Sequence, residues 1–300
     1  MPWFDFLRRR KSVAVAEEAG QSAPAMRRIG GRTFAADVPY LLPKDMGETN
    51  RLDFQHYMLR YALKGNYAAP LRNPRDILDV GCGTGRWAIE MAQQFPTANV
   101  LGVDIAPPPV DAGAPLDIRP ENYTFVQGNV LERVPFPDDS FDFTHQRLLV
   151  LAIPRDRWPG VVAELLRVTR PGGWVELVEG GDVYGPGAAW DQLRSWGKML
   201  LGGQGIDAGV AREVGPLLQG AGAANVSVRT ITLPVGKTGG HIGAMVETNT
   251  FSALGGLRAP IVSLGIASGD AFDATIAQAH EEVARGGITL PFFVACGRKP

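Results

Sequence analysis

Ile77-Leu78-Asp79-Val80-Gly81-Cys82-Gly83-Thr84-Gly85 is an apolar strand running into a turn with glycine at every second position. Glycine reaches positive φ and carries no side chain, so such a turn can lie flat against a ligand that a Cβ would push away. Further along, a second apolar strand, Val100-Leu101-Gly102-Val103, ends in Asp104. A strand, a glycine turn, a helix and a strand closed by an acid make one nucleoside-binding half of a doubly wound α/β fold.

The pattern extends in both directions from that unit. A helix is expected from Arg86, with Ala88, Ala92 and Phe95 as its apolar stripe, Met91 beside them and Pro96 as its stop. Strands are expected over Asn99–Asp104, Tyr123–Gln127, Phe141–His145, Trp174–Val178, Val226–Leu233 and Leu290–Cys296. Helices are expected over Trp158–Val168 and Val210–Leu218. Pro107-Pro108-Pro109, Pro115 and Pro120 forbid most of a crossover helix after the second strand, so a long loop is expected there. Gly236 to Gly287 is far longer than an edge hairpin needs. It carries helical patterns near Ile242–Ala253 and Ala271–Ala284, which implies an inserted helical cap, helped by Trp190–Leu201.

Before the first strand, Glu48–Leu63 reads as a helix with Leu52, Leu59 and Leu63 on one face. The beginning, Trp3-Phe4-Asp5-Phe6-Leu7-Arg8-Arg9-Arg10-Lys11, has the wrong order for a signal peptide. It reads as a solvated tail, or as a weak membrane-surface or partner contact. The expected division is a disordered tail over 1–35, a lid segment over 36–72, and one catalytic domain over 73–300. Cap elements fall at about 184–208 and 236–287 of that domain.

Composition narrows the class. Of 300 residues, 45% are hydrophobic and 20% charged, as in ordinary globular proteins. A net charge of −1 gives no global field toward nucleic acid. No apolar run approaches the ~20 residues of a membrane span. The two cysteines, Cys82 and Cys296, suit a reducing, cytoplasmic setting and cannot build a zinc site alone, so no metal is expected.

The glycine spacing separates two cofactor classes. A nicotinamide or flavin fingerprint is G-x-G-x-x-G, but here the turn is Gly81-x-Gly83-x-Gly85 and residue 86 is arginine. Around it stand Asp79, Asp104, Gly128-Asn129-Val130, Pro135-Phe136-Pro137-Asp138-Asp139-Ser140-Phe141-Asp142 and Arg170-Pro171-Gly172-Gly173. In this order the blocks resemble the class I S-adenosylmethionine-dependent methyltransferases. The resemblance is strongest over residues 75–180. It is closest to the LaeA-like subgroup, through Tyr40-Leu41-Leu42-Pro43, Glu48-x-x-Arg51-Leu52-Asp53-x-Gln55-His56, the proline-rich loop and Gly297-Arg298-Lys299-Pro300.

That resemblance implies a doubly wound, seven-stranded, mostly parallel sheet (a Rossmann-like methyltransferase fold) with an N-terminal lid helix and a helical cap. It implies S-adenosyl-L-methionine as cofactor. Gly81, Cys82, Gly83 and Gly85 would let the backbone pack against its methionine and ribose, with Tyr40 among the cofactor contacts. Asp79 would hold the ammonium, Asp104 both ribose hydroxyls, and Ile105 and Val130 the adenine faces. Asn129 departs from the usual acid at the adenine edge, where an amide can still accept from the adenine amino group, so altered affinity rather than lost binding is expected; the alternative is a turn former. Gln146 would offer its carbonyl to the cofactor's amino group. Ligands of open α/β sheets lie beyond the carboxyl ends of the strands, which makes His145, Arg147 and Glu179 the candidate catalytic or substrate groups. Two functions follow. One is methyl transfer to a small-molecule or natural-product acceptor, with no nucleic-acid partner and no stable membrane insertion. The other is a regulatory or adaptor protein that binds the cofactor with little turnover.

Overall fold

A computed structural model describes residues 25–36, 42–107 and 119–300. The described residues begin with a hairpin of β1, Met26–Ile29, and β2, Arg32–Ala35. This corrects the expected disordered tail at its far end: Phe34 and Ala35 are buried, so the stretch is anchored rather than solvated. Helix α1 spans Met46–Leu63. Its N-cap Asp45 accepts from the Glu48 backbone N–H and from Arg32 of the hairpin. Lys64, at φ 60°, closes it.

The next segment is the nucleoside-binding half. It consists of β3 (Asp76–Val80), α2 (Arg86–Gln94), β4 (Asn99–Asp104) and β5 (Tyr123–Gln127). Then come β6 (Phe141–Arg147), α3 (Trp158–Val168) and β7 (Thr169–Gly180). Helix α4 (Ala188–Gly202) precedes α5 (Val214–Gly220) and β8 (Ala224–Pro234). Helices α6 (Gly240–Ser263) and α7 (Gly269–Arg285) follow, and β9 (Thr289–Arg298) is last in order.

Seven strands form one sheet in the order β5-β4-β3-β6-β7-β9-β8. The first five are mutually parallel, whereas β9 runs antiparallel to both β7 and β8. Every residue of β3 is buried, as a central parallel strand covered on both faces requires. Adjacent residues of a strand serve opposite faces. Leu78 and Val80 join Phe141, Trp158, Val162 and Leu165 under one face. Ile77 joins Trp87, Met91, Val100 and Phe143 under the other.

A third apolar cluster lies beyond the sheet's rim. Met58 and Leu59 of α1 pack there with Trp190, Trp196, Val246, Ile261, Phe272 and Phe292. Helices α4 and α7 pack together there, and α1 lies against α6. Two boundaries differ from expectation. The helix expected over Val210–Leu218 is a 3-10 turn, Ala208–Glu213, followed by α5. Strand β7 begins at Thr169 because the Pro171-Gly172-Gly173 turn sits inside it as a register shift between Phe141 and Phe143 of its partner. Residues 108–118 of the expected loop lie outside the described residues.

Candidate active site

The glycine turn is fastened at its base. The Gly81 and Cys82 N–H groups both donate to the Val103 carbonyl, at 2.8 and 3.1 Å, and Gly83 N–H donates to Asp104 Oδ2 at 2.9 Å. Gly81, Gly83 and Gly85 all have positive φ. A Cβ on Gly81 would lie 2.6 Å from Leu149 Cδ2 and one on Gly85 2.6 Å from the Tyr123 hydroxyl. At Gly83 the nearest atom would be 3.9 Å away. The first and third glycines are thus demanded by packing, while the middle one leaves a flat opening. Gly85 caps α2 with no side-chain bond, so that helix presents its positive end without a protein counter-group at the cap.

A cavity of about 930 Å³ opens above this turn. Asp79, Gly81, Cys82, Gly83, Asp104, Ile105, Asn129, Val130 and Arg147 all line it. The cavity continues past β6 to Trp190, Leu193 and Leu201 of α4, Leu254 and Leu257 of α6, and Phe292 of β9. The carboxylates stand at the ends of adjacent strands. Asp104 spends one oxygen on Gly83 N–H and has Lys44 Nζ 3.9 Å from the other. A carboxylate offers about four acceptor positions, so ribose hydroxyls can still be taken. Asp79 is buried and receives a hydrogen bond from His145 Nδ1 at 2.9 Å. Asn129 is a turn former: its Oδ1 accepts from Leu131 N–H at 3.0 Å and its Nδ2 donates to Glu132.

Three of the expected groups do not reach the cavity wall. His145 is 1% exposed, stacked on Trp87 at 3.8 Å between ring centroids and tied to Asp79. That position suits orienting Asp79 and leaves no path to a substrate, so its expected role as a catalytic group is corrected. Gln146 points to the opposite sheet face, is fully buried, and donates to Glu179 Oε1 at 3.4 Å. Glu179 is also fully buried and is corrected in the same way. Its two oxygens accept from the Leu149 and Val150 N–H groups, at 3.1 and 3.0 Å. Burial pushes its pKa up to about 8, against the pull of those bonds. Glu179 is thus a clamp on the turn after β6, where Leu148 sits at φ 58°. Gly85 is likewise behind the wall, and Tyr40 lies outside the described residues. Both cysteines are free and buried, and burial raises both thiol pKa values.

Arg147 is the expected substrate group that the cavity does contain. Its Nη2 lies 3.2 Å from His56 Nδ1, and the opposite ring nitrogen of His56 is 3.1 Å from Glu90 Oε2. Helix α1 brings a second polar set to the wall. Arg51 forks onto both oxygens of Glu48 and donates from Nη1 to Asn249 Oδ1 of α6 at 3.0 Å. The Glu48-x-x-Arg51 spacing was a sequence signal, since residues three apart on a helix are neighbours. Glu90 and Asn249 carried none, because their partners come from other elements. Trp190 and Trp196 are cap core, Met199 is exposed, and Phe251 stacks on His280.

A methyltransferase-domain family profile matches residues 77–173. Methyltransferase str3 of Strobilurus tenacellus is 41% identical over 142 residues, covering 47% of this chain and 48% of that protein. N-methyltransferase sirN of Leptosphaeria maculans is 29% identical over 282 residues, covering 88% of this chain and 97% of that protein. Secondary metabolism regulator LAE1 of Cochliobolus heterostrophus is 34% identical over 155 residues, covering 47% of this chain and 45% of that protein. The chain therefore spans about half the length of str3 and LAE1. A solved geranyl diphosphate methyltransferase, in complex with GPP and sinefungin, shares the fold with a TM-score of 0.51 at 16% identity, covering 81% of this chain and 78% of that one. The profile match marks a methyltransferase domain over residues 77–173, and the glycine turn, the strand-end acids and the sheet order are those of the class I S-adenosylmethionine-dependent methyltransferase fold. Over about half of its length the chain is similar to the secondary metabolism regulators LAE1 and laeA.

Proposed function

We propose that this chain transfers a methyl group from S-adenosylmethionine to a small-molecule acceptor of natural-product type, bound beneath the helical cap. The observation that carries this is the single cavity running from the glycine turn, past Arg147, to the apolar undersides of α4 and α6. Its volume of about 930 Å³ is at the upper end for small-ligand sites, as two adjoining ligands require.

The residues present fit the donor. Gly83 leaves room for it, Gly81 lets the backbone turn beneath it, and the cap of α2 faces a carboxylate. Asp79 would hold the ammonium and Asp104 the ribose, while Ile105 and Val130 flank the base. When bound, S-adenosylmethionine supplies a methyl group already activated on a sulfonium. The protein's task is then mostly alignment, which can contribute ~7–11 kcal/mol. Helices α1, α4 and α6 wall the shared space and would limit the water that reaches it. The names of sirN and str3 support an enzymatic reading.

The test is transfer of label from methyl-labelled S-adenosylmethionine to two pools. One is a panel of phenols, amines and carboxylic acids; the other is a set of proteins and peptides. Label in the small-molecule pool supports the proposal, and label confined to the macromolecules overturns it. The likeness to the regulator LAE1 favours a second reading, donor binding with little turnover. Tight donor binding with no label in either pool is the result that reading requires.

A further inference from the structure

We propose that Arg147, oriented by His56, is an oxyanion-binding subsite, and that the methyl acceptor is an organic acid whose carboxylate or enolate docks there. The assignment to the acceptor rests on the methyl-transfer reading above; the anion site itself does not.

Arg147 ends β6 and faces the cavity, half-buried. A guanidinium carries five N–H donors. One contact is present, from Nη2 to His56 Nδ1 at 3.2 Å. Among the described residues no carboxylate pairs with it within 4 Å, Asp79, Glu90 and Glu176 act on its charge from further away, and its remaining donors make no hydrogen bond. This contrasts with the lid's Arg51, whose fork is filled by Glu48 and Asn249.

The partner that Arg147 does have cannot neutralise it. His56 is 1% exposed, and burial together with the charge of Arg147 lowers its pKa, so the ring is neutral at physiological pH. Accepting at Nδ1 places its proton on Nε2, toward Glu90. Glu90 is itself engaged by Arg60 at 2.8 Å. The bond to His56 Nδ1 therefore directs the guanidinium and leaves its charge in place, with Glu90 Oε2 close to the far ring nitrogen but not in an aligned hydrogen bond. A cation held this way in partly desolvated space is costly until an anion pairs with it, and a fork of free N–H groups suits a two-oxygen anion.

Location assigns the anion. The wall on the β3–β4 side carries Asp79 and Asp104, while the wall beyond β6 combines apolar groups such as Leu193, Leu254 and Phe292 with Asp182, Arg194, Lys198 and Asp207. Arg147 stands at the border between them. An acid with an apolar body fills the far lobe and presents its oxyanion at that border. The carboxylate of the donor's methionine part shares the same chemistry, and the test separates the two sources.

The probes are 2-naphthoate and 2-naphthamide, titrated into protein saturated with S-adenosylhomocysteine, with wild type, Arg147→Gln and Arg147→Lys compared. Naphthoate should bind roughly tenfold more tightly than the amide, in line with a charge-assisted bond. Arg147→Gln should abolish that preference, and Arg147→Lys should retain part of it. Donor affinity should change less than about threefold in both variants. Equal binding of acid and amide to wild type overturns the proposal without any variant. A tenfold loss of S-adenosylmethionine affinity in Arg147→Gln, with binding of its decarboxylated analogue unchanged, assigns the anion to the donor and also overturns it. Thermal unfolding reports whether Arg147→Gln folds; if it does not, the acid–amide pair and the lysine variant decide. If no nucleoside binds at all, the methyl-transfer reading fails, and the same titration without it still decides whether the anion site exists.

Discussion

Glu179 connects pH to the wall of the active site. Its pKa stands at about 8, raised by burial from an ordinary 4.5. Between those values the folded chain keeps a proton that the unfolded chain has released. The associated stability is fully present below about pH 4.5, falls as pH rises, and is gone above about pH 8. The distance from 4.5 to about 8, at about 1.36 kcal/mol per pH unit, sets a ceiling of about 5 kcal/mol. Glu179→Gln removes the titration and retains an acceptor for one of the two N–H groups, Leu149 or Val150. The assay is urea unfolding of both proteins from pH 5.5 to pH 8.5. Across that range wild type should lose about 3 kcal/mol relative to the variant, while the other titrating groups cancel in the difference. Curves that stay parallel from pH 5.5 to pH 8.5 refute the reasoning, because a carboxyl with an ordinary pKa gives no drift there.

Other substitutions probe the cradle and the lid. Asp104→Ala should weaken S-adenosylmethionine binding about ten- to a hundredfold by calorimetry, since a charged hydrogen bond is worth ~1.5–3 kcal/mol; an unchanged dissociation constant removes the ribose assignment. Gly81→Ala places a Cβ 2.6 Å from Leu149 at φ 69° and should cost ~2–4 kcal/mol, read as a lowered melting temperature. Arg51→Met leaves Glu48 buried without its fork and should cost ~3–5 kcal/mol in urea unfolding. A loss below ~1 kcal/mol would mean that solvent reaches Glu48.

The nucleoside-binding half was legible because its signals are local. Strand Asn99–Asp104 and helix Trp158–Val168 fall at the expected residues, since periodicity and proline stops lie within each element. The hairpin at Met26–Ala35 was missed, for its stability comes from Arg32 reaching Asp45 and from Phe34 finding apolar neighbours. At the site, sequence order placed Asp79, Asp104 and Arg147 on the cavity. Glu179 and His145 were read as chemical groups because a strand end does not reveal which face a side chain takes. One points beneath its own turn and the other beneath Trp87. The contact of His56 with Glu90 depends on how α1 crosses α2, which no spacing encodes.

The position of β9 has a consequence for how the molecule is made. On a ribosome, β3 to β7 emerge together and can assemble a parallel sheet with the glycine turn already in place. Strand β8 then appears with no neighbour to pair with, because the strand that joins it to β7 is synthesised after it. Phe292, which lines the cavity, arrives on that same strand. A nascent chain halted before Thr289 would thus have its glycine turn formed while the cavity lacked the part of its wall that Leu290 and Phe292 supply.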